Sequence, residues 1–394
     1  MIKEKIQKLA GEIFNDVVSY RRHIHANPEL SFKEFQTSLF IQGKLTAWGI
    51  PFTTMANTGV VGLIKGDLPS NEVIALRADM DALPIHEAND KPYISKNKGV
   101  MHACGHDVHS SSLLGCAYIL NSLKAEFGGT IKLIFQPAEE LLPGGASIMI
   151  KEGVLENPVP AHIVGQHVMP LIETGKVGFR SGIYMASTDE LYITVTGKGG
   201  HGAQPQQNID PVLIAAHIIV ALQQIVSRNS DPRLPSVLSI GKVNANGATN
   251  IIPNEVKMEG TFRTLNEEWR KEAKRLMKKL AEGIAESMGG SCEFDIHNGY
   301  PFLINEPILT GNAKACAEEY LGKENVVDLD IWMAAEDFAY YSQVTNACFY
   351  RLGTGNAAKG TTYSVHTPNF DIDEDALKVS TGLMAYIALK QLGN

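Results

Sequence analysis

Apolar and polar residues follow two periods along the chain, and together these periods predict a mixed α/β protein. Apolar residues recur at helical spacing over residues 3–26 and again over about 33–48. A continuous apolar run at residues 59–65 follows, and runs of this kind are typical of strands in a sheet covered on both faces. Similar runs predict buried strands at residues 73–77, 130–135 and 162–167, with a helix at 146–151.

From about residue 184 the order of predicted elements changes. Strands are expected at residues 189–196, 236–243, 254–263 and 291–297, with helices at 210–227 and 267–288. This β-α-β-β-α-β order is the split βαβ arrangement, which forms an antiparallel sheet with its own core. A chain of 394 residues is long enough for two domains. We therefore expect a catalytic domain, residues 1–183 and 298–394, and an inserted ferredoxin-like domain, residues 184–297.

Composition narrows the class of protein. Hydrophobic residues make up 44% of the chain and charged residues 20%, as in an ordinary globular protein. The net charge of −8, without a basic block, argues against a nucleic-acid partner. The N-terminus has no apolar signal core, and no apolar run approaches the ~20 residues of a membrane span. Five scattered cysteines are not a disulfide framework. We expect a cytoplasmic protein with no membrane partner.

The densest candidate chemistry lies at residues 101–110, M-H-A-C-G-H-D-V-H-S. Imidazole and thiolate are ligands that zinc and other transition metals take. Cys104 and His106 are two residues apart, so their side chains point the same way from an extended or turn backbone. Asp107 is the predicted N-cap of a helix, which places Cys104 and His106 on the loop entering it. A buried cysteine beside unrelated surface histidines is the alternative, and the density of donors favours the metal site.

Three successive predicted strands end in residues suited to metal chemistry. Asp79 and Asp81 follow the strand at 73–77, Glu139 and Glu140 follow the strand at 130–135, and His167 ends the strand at 162–167. Sheets of α/β proteins carry their sites at the carboxyl ends of the strands. In a turn, two neighbouring glutamates can splay, one towards a metal and one towards its water. Asp79 and Asp81 either support the site or only form part of a turn, and the sequence favours neither alternative.

Other polar residues are individually weaker candidates. His201 sits in the glycine-rich turn G-K-G-G-H-G, which lacks the Lys-Ser ending of a phosphate loop, so nucleotide binding is rejected. Asn250 and Arg263 are each more often structural, although arginine suits bidentate carboxylate binding. His366 follows a glycine-containing loop, a usual setting for functional residues. A cluster near the end of the first helix is interpreted as cations on a solvated face near a helix C-terminus, with a functional role as the alternative. It consists of Arg21, Arg22, His23 and His25.

Six motifs, spread over nearly the whole chain, resemble those of the co-catalytic zinc amidohydrolases and carboxypeptidases. That family includes hippurate hydrolase, auxin-conjugate hydrolases and N-acetyl-diaminopimelate deacetylase. The motifs are R-R-H-I-H-A-N-P-E-L-S from Arg21, R-A-D-M-D-A-L-P from Arg77, M-H-A-C-G-H-D-V-H from Met101, Q-P-A-E-E from Gln136, G-K-G-G-H-G-A from Gly197 and S-V-H-T-P from Ser364. The fold that this resemblance implies is a mixed-sheet, zinc-peptidase-like catalytic domain that carries an inserted domain.

The resemblance also implies a set of site residues. The family's general base falls on Glu139, and Asp79 joins the catalytic set. Two divalent ions per subunit are implied, zinc first, although a mixed N/O/S site also accepts manganese, cobalt or nickel. Substrate-binding positions match His201, Asn250 and Arg263, and the inserted domain is expected to form a homodimer. The implied metal ligands are Cys104, His106, Glu140, His167 and His366.

Three functions follow as hypotheses. The favoured one is hydrolysis of the amide bond of N-acyl amino acids or related conjugates by metal-activated water. The second is a dipeptidase or carboxypeptidase that uses the same metal site, so that the substrate is a short peptide. The third is a metal-binding protein without activity, against which Glu139 argues, because a storage site needs no base next to the water. Residue types alone do not specify the acyl group, the amino acid, the metal or whether His201 serves its own or a partner's site.

Overall fold

The computed structural model describes residues 1–393. Its first half alternates helices with strands. The helices are α1 (Ile2–Ala26), α2 (Phe35–Ala47), α3 (His106–Ser122) and α4 (Gly145–Lys151). The strands are β1 (Phe52–Met55), β2 (Gly59–Lys65), β3 (Leu68–Asp79), β4 (Gly128–Gln136), β5 (His162–Glu173), β6 (Val177–Phe179) and β7 (Gly182–Met185).

The second half continues the numbering. Its strands are β8 (Asp189–Thr196), β9 (Gly200–His201), β10 (Ser236–Asn244), β11 (Ile251–Ile252), β12 (Glu255–Thr264), β13 (Ser291–Asn298), β14 (Leu303–Asn305), β15 (Val326–Asp328) and β16 (Asn346–Gly355). Its helices are α5 (Pro211–Gln224), which runs into a π-helical turn at Ile225–Asn229, α6 (Glu267–Ser287), α7 (Pro307–Leu321), α8 (Ala339–Ser342) and α9 (Ala376–Gln391).

The described residues form two compact units. The first comprises Met1–Tyr184, Ile304–Ile331 and the chain from Asp337 onwards. The second comprises Met185–Leu303 together with the short segment Trp332–Glu336. Each unit has its own cluster of buried apolar side chains, as expected of a chain whose length exceeds what one core usually serves.

The first unit is built on an eight-stranded mixed sheet. Its strand order is β1-β2-β4-β3-β5-β16-β6-β15. The central neighbours β4, β3, β5 and β16 run parallel, whereas β1 and β2 pair antiparallel with their neighbours. Strand β6 pairs antiparallel with β16 and parallel with β15. The predicted mixed-sheet α/β class is therefore confirmed. Because β4, β3 and β5 are adjacent and parallel, their carboxyl ends lie at one edge of the sheet, where the polar residues of the sequence motifs follow.

The second unit is an antiparallel sheet in the order β10-β12-β8-β13, with the helices α5 and α6. This is the ferredoxin-like strand order. Helix α5 and the turn after it, Pro211–Asn229, are long and apolar enough to cross a membrane by length and composition alone. Ile214, Ile218 and Leu222 of α5 instead pack in the core of this unit, while Leu213 and Val220 are exposed.

Some local predictions differ from the structure. Helix α3 begins at His106 with Gly105 as its N-cap, so the predicted capping role of Asp107 is wrong. Gly105 has φ +84°, and a Cβ atom there would lie 2.6 Å from Val168 Cγ2, so the position requires glycine. Strands β6 and β15 were not predicted, because three residues are too few to show a period.

Candidate metal centre

Metal-competent side chains converge where β3 and β4 end, next to His167 of β5. The prediction that His167 ends its strand is wrong, because β5 continues to Glu173 alongside β16. Cys104 Sγ lies 3.3 Å from His167 Nε2 and 3.3 Å from His366 Nε2. Glu140 Oε1 lies 3.1 Å from His366 Nε2 and 4.0 Å from His106 Nε2. The structure thus brings together all five residues that the motifs assign to metal binding, from segments up to 262 residues apart.

His366 reaches the cluster from a strained backbone. Its φ is +63°, a conformation that residues other than glycine rarely adopt, and its N–H donates to the carbonyl of Ala103 at 2.8 Å. That hydrogen bond attaches the loop of His366 to the residue before Cys104. Strained positions of this kind persist only where the surrounding structure holds them, and they concentrate at functional sites.

The two neighbouring glutamates are splayed by the backbone of their loop. Asp81 accepts hydrogen bonds from the N–H groups of both Glu139 and Glu140, each at 3.0 Å. Ala138, just before them, has φ +52°. Glu140 Oε1 and Glu139 Oε2 each lie 4.0 Å from His106 Nε2. Both carboxylates therefore face the same cluster, which a regular strand would not allow for adjacent residues.

Asp81 also ties this loop to a histidine of the cluster. His106 Nδ1 lies 3.1 Å from Asp81 Oδ1, so the carboxylate accepts a hydrogen bond from Nδ1–H, and Nε2 is the nitrogen that can act as a ligand. Burial alone would lower the pKa of His106, but Asp79 and Asp81 raise it to about 10. From the sequence, Asp79 and Asp81 either supported the site or formed part of a turn. In the structure both lie next to His106 of the site.

Asp79 is held by two fixed partners. Its Oδ1 lies 2.5 Å from His109 Nδ1, and its Oδ2 accepts a hydrogen bond from Arg77 Nη1 at 2.6 Å. Asp79 Oδ2 is also 3.7 Å from His106 Nε2. Burial would raise the pKa of Asp79, but the imidazoles of His106 and His109 and the guanidinium of Arg77 hold it well below its usual range. Asp79 is thus a fixed negative charge beside the donors.

A buried ion-pair network lies behind His106. Arg21 Nε donates to Asp107 Oδ2 at 2.7 Å, and His25 Nδ1 lies 2.8 Å from the same oxygen. Arg21, His25 and Asp107 are fully buried, so the interpretation of Arg21 and His25 as cations on a solvated face is wrong. Burial would raise the pKa of Asp107, but Arg21 and His25 keep it well below its usual range. The carboxylate next to His106 is therefore charged and firmly held.

The donors fit divalent metal ions. Burial and the carboxylates of Glu140 and Glu139 raise the pKa of the Cys104 thiol well above its usual value, so it needs a cation beside it to ionise. Within residues 1–393, His106 Nε2 is buried without a hydrogen-bond partner. Buried polar atoms of this kind call for a ligand. Thiolate, imidazole and carboxylate together are the donor set that zinc and similar metals take.

Comparison with known proteins identifies the family. The model of peptidase family M20/M25/M40 matches residues 75–390, which is more than half of the chain. The chain belongs to this family. The match includes every residue of the candidate metal centre.

The names of several relatives of this M20 chain agree with metal-dependent cleavage of amide bonds. Thermostable carboxypeptidase 2 of Saccharolobus solfataricus is 40% identical over 98% of both chains. An N-acyl-L-amino acid amidohydrolase of Geobacillus stearothermophilus is 44% identical over 77% of this chain and 82% of its own length. A dinuclear metal-binding M20 peptidase of Bacillus subtilis superposes with a TM-score of 0.83, at 36% identity, over 97% and 99% of the two chains.

The M20 chain is therefore a metal-dependent hydrolase of amide bonds, and its donors suffice for two metal ions. Overlapping donor groups, each with ligand atoms within 4.8 Å of one another, share single residues: Cys104 belongs to one group with His106 and His167 and to another with Glu140 and His366. Two adjoining donor groups provide ligands for two neighbouring ions.

The second unit carries the other residues that the motifs single out. His201 pairs with Ile251 across the two-stranded ribbon of β9 and β11, and Asn250 precedes that strand. His201 Nδ1 accepts the N–H of Ala203 at 3.0 Å, so a neutral His201 carries its proton on the exposed Nε2. Arg263 donates to the carbonyl of Met333 at 3.2 Å and forms no ion pair within residues 1–393. These side chains stay predictions as substrate contacts.

Sequence reasoning missed two parts of the site. His109 was given no role of its own, yet it is fully buried against Asp79. Asp337 was given no role, although its carboxylate accepts hydrogen bonds from Arg77, Gln136 and the N–H of Ala146 at 2.7 to 2.9 Å. His109 could have been found from the motif H-D-V-H, which places it near His106. Asp337 could not have been found from sequence spacing, because it lies 201 residues after Gln136.

Proposed function

We propose that this enzyme is a zinc-dependent amidohydrolase that cleaves N-acyl amino acids or related conjugates. The observation that carries the proposal is Glu139. Its side chain is buried, 4.0 Å from His106 Nε2, while the next residue, Glu140, approaches His366. A metal store needs ligands only, whereas a hydrolase needs a base beside them. The names of the Geobacillus amidohydrolase and of an N-acetylcysteine deacetylase of Bacillus subtilis, 40% identical, support this substrate class.

The residues divide the reaction among them. Cys104, His106, Glu140, His167 and His366 would hold two divalent ions, which when bound polarise the amide carbonyl and lower the pKa of water to about 7. Glu139 accepts the proton of the attacking water as its oxygen bonds to the carbonyl carbon. Glu139 then delivers that proton to the leaving nitrogen as the C–N bond breaks. Asp79 holds its charge beside His106 throughout.

The second unit supplies the remaining contacts in this proposal. The proton on His201 Nε2 makes this imidazole a donor to the oxyanion of the tetrahedral intermediate. Arg263, which has no acidic partner within the described residues, binds the carboxylate of the amino-acid half together with Asn250.

Glu139→Gln and Glu140→Gln test the division of labour between adjacent residues. Glu139→Gln should keep its metal and lose roughly a hundred- to ten-thousand-fold in turnover, because only the base is removed. Glu140→Gln should lose metal, because a ligand is removed. Metal content by plasma mass spectrometry and turnover at saturating metal separate the two. Equal loss of metal in both variants would refute the assignment of Glu139.

The substrate is tested by turnover of hippurate, N-acetyl amino acids and dipeptides with zinc, manganese, cobalt or nickel. Preferred cleavage of the acylated amino acids supports the proposal. Preferred cleavage of dipeptides would assign the chain to the carboxypeptidase activity named for the Saccharolobus relative. No turnover of any amide, with metal bound, would leave only a metal-binding role.

We further propose a homodimer in the cytoplasm. The exposed apolar side chains Leu213 and Val220 on α5, and the edge strand β10, give the second unit a surface suited to a symmetric contact. All five cysteines are free, which fits a reducing compartment. Sedimentation at micromolar concentration should give about twice 42.9 kDa, and a fully active monomer would remove this claim.

A further inference from the structure

Glu34 is a buried carboxylate with no cation beside it. Its side chain is completely inaccessible, and it forms no ion pair within residues 1–393. A buried carboxylate without a cation must be stabilised by hydrogen-bond donors. Glu34 Oε2 accepts from Thr58 Oγ1 at 2.8 Å, and its Oε1 accepts from two backbone N–H groups, those of Phe32 at 3.0 Å and Ala138 at 2.8 Å.

The contact with Ala138 places Glu34 in the loop of the glutamates. With φ +52° at Ala138, three successive N–H groups turn towards buried carboxylates: Ala138 donates to Glu34, and Glu139 and Glu140 donate to Asp81. A run of N–H groups around such a residue forms a concave anion-binding nest. Here the anions are two side chains of the protein itself.

The loop is also confined from its other side. The carbonyl of Ala138 accepts the N–H of Gly145 at 2.9 Å, and a Cβ atom on Gly145 would lie 1.8 Å from the carbonyl oxygen of Pro137. Burial and the nearby Asp81 carboxylate raise the pKa of Glu34 to about 7. Two buried carboxylates, those of Glu34 and Asp81, thus lie close together at this loop. Glu34 directly precedes helix α2, but the helix does not require this pair of charges.

We propose that Glu34 is a positioning residue for hydrolysis, whose carboxylate holds Ala138 in the left-handed conformation and thereby sets the direction in which Glu139 points. This inference rests on the proposed role of Glu139 as the base. Glu34 acts through that residue, because its contact is with the preceding peptide N–H and not with the reacting atoms. A misplacement of about 1 Å of a catalytic group lowers turnover by about a hundredfold.

Glu34→Ala should therefore lower kcat about a hundredfold while KM and metal content change less than about threefold. Glu34→Asp, which is one methylene shorter and keeps the charge, should also lower kcat. This variant provides the test if Glu34→Ala does not fold. Glu34→Gln should restore most of kcat, because one amide oxygen can accept both N–H groups that Oε1 accepts now. Wild-type kcat in folded Glu34→Ala and Glu34→Asp would overturn the proposal.

Two control variants separate positioning from structure. Glu29 accepts the N–H groups of Gln36 and Thr37 at 3.1 and 2.9 Å, so Glu29→Ala weakens the start of α2 without touching the loop. Thr58→Val removes only the hydroxyl on the other oxygen of Glu34. Both should lower the melting temperature and leave kcat unchanged. A kcat that falls in these variants as far as in Glu34→Ala would show that Glu34 is merely structural.

The double variant Glu34→Ala/Glu139→Gln distinguishes failure of this inference from failure of the proposed function. If Glu34 acts through the base, adding Glu34→Ala to Glu139→Gln should lower kcat by less than about threefold, because interacting residues are not additive. A full hundredfold further loss would overturn the positioning role while leaving Glu139 as the base. Undiminished turnover of Glu139→Gln alone would instead overturn the function from which the inference starts.

Discussion

Asp81 contacts both the loop of the two glutamates and a histidine of the metal centre, and Asp81→Asn tests what these contacts contribute. Oδ1 accepts from Glu139 N at 3.0 Å and lies 3.1 Å from His106 Nδ1; Oδ2 accepts from Glu140 N at 3.0 Å and from Ser31 Oγ at 2.6 Å. Asparagine keeps one acceptor oxygen. If that oxygen serves His106 and Glu139, the amide NH2 faces the N–H of Glu140, and a buried donor is left unpaired.

The expected size of the effect follows from these contacts. An unpaired buried N–H costs about 1–3 kcal/mol. Loss of the carboxylate that orients a metal-binding histidine weakens metal binding roughly 10- to 100-fold, which equals about 1.4–2.7 kcal/mol. We therefore expect Asp81→Asn to require 10- to 100-fold more free metal for half-maximal activity, and to lose stability in the metal-free state as well.

The assay is activity of the chelator-treated enzyme against buffered free zinc, with metal dissociation constants from calorimetry. Ser31→Ala is the matched control, because it removes one donor from the same carboxylate and leaves the loop and His106 in contact with it. This control should shift the metal dependence less than about threefold. The reasoning is refuted if Asp81→Asn binds metal like the wild type, or if Ser31→Ala weakens binding to the same extent.

Two further predictions concern the second unit and pH. His201→Ala should keep its metal and lose about a hundredfold in turnover, the usual cost of one oxyanion donor. Mixing His201→Ala subunits with Glu139→Gln subunits should restore activity only if His201 serves the partner's site. Wild-type turnover of His201→Ala would contradict the role of this residue. The raised pKa of Glu34, about 7 against 4.5, means that the unfolded state ionises first as pH rises. The stability of the wild type relative to Glu34→Gln should therefore fall by about 3 kcal/mol between pH 4.5 and 7 in urea denaturation, and a constant difference would refute the shift.

The position of the metal centre could be predicted because it depends on strand direction. Asp79, Glu139 and His167 each follow or end an apolar run, and the structure pairs β3 in parallel with both β4 and β5. In register, Asp79 lies opposite Gln136 at the end of β4. Parallel neighbours bring their carboxyl ends to one edge whatever the connecting segments do, so the pattern of the sequence carried this information.

The supporting charges could not be predicted, because their meaning depends on partners far away in the chain. Arg21 and His25 have the composition of a solvated helix end, and only the packing of α1 against α3 brings them to Asp107, 86 and 82 residues later. Glu34 was not considered for the same reason: its decisive contact, with Ala138, spans 104 residues. Local patterns identify the donors, whereas the residues that orient them are fixed by tertiary contacts.

Burial and residue type do not by themselves decide which histidines can bind metal. His106 donates a hydrogen bond from Nδ1 to Asp81, and His167 donates one from Nδ1 to the carbonyl of Val168 at 2.8 Å. In the neutral form that binds metal, the Nε2 lone pair of each ring therefore faces the cluster. His109 is equally buried beside Asp79, yet its Nδ1 donates to that carboxylate and its Nε2 accepts the N–H of Val168 at 3.0 Å. Both nitrogens of His109 are occupied within the protein. His109 is therefore a support that fixes Asp79, and the ligand positions fall to the histidines whose second nitrogen is left free.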